Sequence, residues 1–114
     1  MSEIEIPRHI DELDRCIDNW ETAIFEWQKS QTAYAEKESL LKSWESAMKA
    51  AMIGAKMSGV MAEARVKAHE DWQPRYLEVQ NLGIASETKK RILRLAEAKW
   101  ETERSRQVSL RNLK

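Results

Sequence analysis

Stepping alternately three and four residues from Ile10 gives Ile10, Leu13, Ile17, Trp20, Ile24, Trp27, Gln31, Tyr34, Glu38 and Leu41. Eight of these ten positions are apolar, which is the heptad spacing of a helix that winds around a partner. Beyond Leu41 the stripe drifts toward Leu40, Trp44, Ala47, Met48, Ala51 and Met52, as a 3.6-residue helix does against a 3.5 repeat. Pro7 suits a helix start, because a first-turn residue has no amide partner to lose. The pattern predicts a first helix over about 8–57, with Ser58-Gly59 as its stop.

Met61 to Ala68 are strong helix formers and predict a short helix at a tip spanning 58–71. Asp71 is a good N-cap, and Pro74 is tolerated in the first turn that follows. A second long helix is expected over about 72–113. Its apolar stripe, Trp72, Tyr76, Val79, Leu82, Ile92, Ala96, Trp100 and Leu110, is more ragged than the first. Asn81-Leu82-Gly83 is its weak point, and one continuous helix is favoured over a break there.

Two long helices joined by a short tip predict an all-α fold: a long antiparallel helical hairpin forming one domain over 1–114. Charge agrees. Residues 1–45 carry eleven acids and five bases, whereas residues 46–114 carry eight acids and fourteen bases. A tip near 59–69 sets position i opposite position 128 − i. Asp11, Asp14, Asp18 and Glu21 then lie beside Arg104, Arg106, Arg111 and Lys114, and the matched signs select the alignment. A two-helix hairpin buries only the stripe between its helices. The expectation is therefore a homo-oligomeric helical bundle, with Ile10, Leu13, Ile17, Trp20, Ile24, Trp27, Tyr34 and Leu41 at the oligomer interface and Gln31 and Glu38 fixing register.

Composition narrows the function. Three glycines and two prolines in 114 residues are too few for a many-turn β or α/β fold. A lone cysteine excludes a disulfide framework, and no window has the roughly 18 apolar residues of a membrane span. The acidic start is unlike a leader peptide, so a cytoplasmic protein without membrane contact is expected. His9, His69 and Cys16 have no metal-site spacing, GAKMSG lacks the ending of a phosphate loop, and the carboxylates recur as solvated helix partners. A non-enzymatic protein with no cofactor and no metal follows. The one dense feature is the basic segment 89–114, net +6 from nine bases and three acids. Lys89, Lys90, Arg91, Arg94, Arg104 and Arg106 with Trp100 are candidates for tracking a phosphate backbone and stacking on an unpaired base. The competing reading has these bases neutralise the acidic first helix, with Trp100 in the core. Likewise Met57 and Met61 at the tip are either an adaptable docking surface or flexible packing.

At residues 40–113, GAKMSGVMAEARVKAHED and the closing WETERSRQVSLRNL resemble small helical proteins encoded in phage recombination and replication regions. The layout is similar to that of UvsY-type recombination mediators. The resemblance implies an oligomeric accessory in host cytoplasm that binds single-stranded DNA and a recombinase or other replication protein through its basic second helix. The alternative is a protein-interaction module, an inhibitor or adaptor of a host complex, docking through a helical face or the Met57 and Met61 tip without nucleic acid.

Overall fold

The computed structural model describes residues 8–113, and these form three α-helices with no strand among them: α1 (Arg8–Gly54), α2 (Gly59–Ala68) and α3 (Trp72–Asn112). Pro7, the expected helix start, lies outside the described residues. Contacts divide the chain into two units: unit 1, residues 1–29 with 87–114, and unit 2, residues 30–86.

In unit 1, the first part of α1 runs antiparallel to the last part of α3. The pairs Glu12–Arg106, Trp20–Trp100 and Glu26–Lys89 set the register. Leu13, Ile17, Trp20, Ile24 and Trp27 on α1 and Leu93, Ala96, Trp100 and Gln107 on α3 are half-buried, and Trp20 meets Trp100 across the seam. Among the described residues of this unit only Ala23 is buried, at 6% exposure. Ile92 and Leu110, expected on the seam, are exposed at 48% and 45%. Leu93, Trp100 and Gln107, seven residues apart, are half-buried on this part of α3 instead, with polar Gln107 among them; in unit 2 the buried α3 residues Val79 and Ser86 are likewise seven apart.

Unit 2 holds the turn. Its pairs, Gln31–Ser86, Lys37–Glu78 and Glu45–Trp72, set position i opposite roughly 117 − i rather than 128 − i. The difference has a physical cause. A register of 128 − i requires 59–69 to be a symmetrical tip, whereas α2 folds back beside the end of α1. Lys42, Glu45, Ser46 and Lys49 share a groove with Glu63, Val66 and Lys67, and Ala62 and Val66 are buried at 0% and 3%. α2 therefore covers the last turns of α1, and α3 begins level with Glu45. For the expected charge row, the consequence is that Arg106 meets Glu12, Asp11 pairs along its own helix with Arg15, and Arg104 lies over Trp100. Lys114 is outside the described residues.

The stop signals also exchange roles. Met57 N–H donates to Met52 O at 3.2 Å and Lys56 N–H to Ile53 O at 2.9 Å, with Lys56 left-handed at φ 69°. These two bonds are a Schellman ending, so α1 ends at Gly54, short of Met57. Ser58, read as part of that stop, caps α2: its Oγ accepts from Met61 N–H at 3.3 Å. Gly83 does not break α3. It stands where a Cβ would come within 3.1 Å of the Tyr34 ring, so glycine lets the two helices approach.

Candidate functional site

Most of the polar and aromatic side chains expected to reach outward are engaged within their own unit. In unit 1, Trp100 stacks on Trp20 with ring centres 4.9 Å apart and planes 24° off parallel, and the Arg104 guanidinium lies 5.3 Å from the Trp100 ring centre. Offset stacking and a cation over the ring each add a modest attraction beyond area burial. Arg106 reaches Glu12 across the seam and Glu103 on its own helix, both at 3.7 Å. Glu103 is nearly buried, and its Oε1 has no hydrogen-bond partner among the described residues. Lys89 lies 3.9 Å from Glu26. Of the residues named for nucleic acid, this leaves Arg91 and Arg94 exposed and Lys90 half-buried, none in an ion pair with a described residue.

Beside the seam, unit 1 opens a groove of about 310 Å³. Cys16, Ala23 and Ala96 form its floor, and Ile92 and Leu95 stand along one wall at 48% and 57% exposure. Asn19 and Glu26 edge the α1 side, and Lys89 and Lys99 the α3 side. The hydrophobic pattern of the sequence does not mark these five apolar or small residues as one face. Two alanines and a cysteine carry no hydrophobic signal strong enough to mark a face.

In unit 2, an aromatic cluster closes the α2 end. Trp72 stacks on Tyr76 at 4.7 Å and donates its indole N–H to Glu45 Oε2 at 3.2 Å. Trp44 has the His69 ring edge-on at 5.5 Å and the Arg75 guanidinium 5.1 Å from its ring centre. Further along, Ser86 Oγ donates to Gln31 Oε1 at 2.8 Å, and Ser86 is 4% exposed. Glu38 accepts from Lys42 at 2.9 Å. The Lys42 bond, followed by one from Tyr34, holds the Glu38 carboxyl below its ordinary range. The same carboxylate raises Tyr34 and Lys42.

At the tip, Val60 and Met61 point outward at 82% and 54% exposure, while Met57 is half-buried. Of the expected interface residues, Leu13, Ile17, Trp20, Ile24 and Trp27 line the unit 1 seam, Tyr34 is half-buried against Gly83, and Leu41 is buried in unit 2. The Ile10 side chain lies outside the described residues. Among the described residues no three histidine, cysteine or carboxylate side chains come together as metal ligands, and no helix is long and apolar enough to cross a membrane. Compared with family models, curated proteins and solved structures, the chain matches none.

Proposed function

We propose that this chain is a non-enzymatic helical interaction protein that works through contacts between helix faces, first with copies of itself and then with a protein partner. One observation carries the reading: among the described residues of unit 1 Ala23 alone is buried, while Phe25, Ile92, Leu95, Val108, Leu110 and Leu113 are exposed. A lone apolar side chain at the surface is ordinary, but this many on one helical pair marks surface suited to another molecule. The exposed Val60 and Met61 of α2 offer a second, smaller apolar patch for the partner. Light scattering coupled to size exclusion tests the reading. The expected mass at tens of micromolar is a whole multiple of 13.3 kDa, and a single-chain mass there would refute assembly.

A second reading has its own support. Lys90, Arg91 and Arg94 carry positive charge on α3 without an ion pair to a described residue. They suit contact with a phosphate backbone, as in a phage-type recombination or replication accessory on single-stranded DNA. The ion pairs of Lys89 with Glu26 and of Arg106 with Glu12, and the Trp20–Trp100 stack, weigh toward the first reading.

A further inference from the structure

We propose that the groove on unit 1 is a self-docking site, filled in solution by the same face of a second copy of this chain. The inference rests on the assembly reading above and adds the face, the occupant and the orientation.

The groove carries both halves of a self-complementary contact. Its floor is small: Cys16, Ala23 and Ala96. Its ridge is large and wet: Ile92 and Leu95. A two-fold contact needs one patch that fits itself, so that each copy's ridge enters the other copy's floor. Because ridge and floor share one face here, one operation satisfies both.

Charge selects the axis. Glu12, Asn19 and Glu26 recur every seven residues and form one row on α1; Lys99 and Arg106 are spaced likewise on α3, with Lys89 on the same rim. An axis parallel to the helices lays α1 of one copy over α3 of the other, so the acidic row meets the basic rim. An axis across the helices would set α1 on α1 and α3 on α3, with like charges opposed. Opposed like charges suppress an alignment, and matched ones specify it. The parallel axis therefore gives a four-helix bundle in which Lys89 lies between Glu26 of its own chain and Glu26 of the second copy.

Phe25 supplies an internal control. It is 62% exposed, yet it stands two residues, about 200°, around the helix from Ala23 and does not line the groove. The test compares full-length wild type, the double variant Ile92→Glu/Leu95→Glu and Phe25→Glu by light scattering, with circular dichroism as the check on helix content. Expected are twice 13.3 kDa for wild type and Phe25→Glu, and a single-chain mass for the double variant, its dissociation constant raised at least about a hundredfold. A double variant that keeps the doubled mass, a Phe25→Glu chain that dissociates, or a wild-type mass above two copies would overturn the groove assignment. A single-chain wild type would instead defeat the assembly reading itself. A second readout needs no substitution: Cys16 lies on the groove floor. Its alkylation by a maleimide should quicken on dilution, and a rate independent of concentration would also overturn the proposal.

Discussion

At the scale of single residues, the informative positions are those where a side chain takes a role usually given to another type. Lys56 closes α1 in the left-handed region, where an L residue crowds its own carbonyl and glycine does not. Glycines stand close by at 54 and 59, and neither has positive φ. Lys56→Gly should therefore stabilise the chain by about 0.5–1 kcal/mol, while Lys56→Val should destabilise it. The check is a denaturant titration in which the midpoint moves and the slope does not. A Lys56→Gly midpoint below wild type would mean that the side chain contributes something its exposed position does not suggest. The Schellman ending also explains why the sequence misplaced the stop. Ser-Gly is the more familiar punctuation, but Ser58 was needed one step later, as the cap that satisfies the first free amides of α2.

At the scale of elements, the heptad stripe of α1 was legible because Trp, Ile and Leu recur with little interruption, and α1 pairs along that stripe in each unit. The register was not legible. It is set by the return of α2 along α1, and α2 is built from alanine, valine and charged residues whose pattern does not say which face is covered. The inward row of α3 was half legible for a related reason: Ser86 stands in it as a polar member, and no hydrophobic count finds a serine. Its partner is Gln31, which the heptad count did place on the seam. Stranding a buried hydrogen-bonding group costs about 1–3 kcal/mol, whereas replacing both partners by apolar groups of like shape is nearly neutral; here Ser86 is the buried member and Gln31 the exposed one. Gln31→Leu, which strands the buried Ser86 hydroxyl, should lower stability by about 1–2 kcal/mol; Ser86→Val, which leaves the exposed Gln31 amide to water, should cost less, and the double variant should recover most of the first loss. Urea midpoints of the four chains complete the cycle. Additive losses would show that the bond contributes no coupling and that register is held elsewhere.

At the scale of the whole molecule, charge decides how strongly the chain can hold a polyanion. The balance of 19 bases and 19 acids is not a cancellation between distant regions: residues 1–29 with 87–114 hold twelve of each, and residues 30–86 hold seven of each. Each unit is neutral by itself. The excess of bases in 89–114 is met by the acids of the α1 segment it packs on, as Glu12–Arg106 and Glu26–Lys89 show. Non-specific affinity for single strands rises with the number of phosphates neutralised, log affinity falling by roughly 0.7 per contact for each decade of salt. If contact is confined to the patch of Lys90, Arg91 and Arg94, the slope against log salt should be no steeper than about −2, and binding should be detectable only near about 50 mM salt. Fluorescence anisotropy of a labelled oligonucleotide, with Arg91→Glu/Arg94→Glu beside the wild type, reads this directly. A shallow slope abolished by the double variant supports the accessory reading on α3. A slope of about −4 or steeper would require cations beyond these three, such as the exposed Lys99, Arg104 and Arg111 of α3 or the carboxylate-paired Lys89 and Arg106. No binding at low salt removes nucleic acid from consideration and leaves the apolar helix faces as the working surface of the protein.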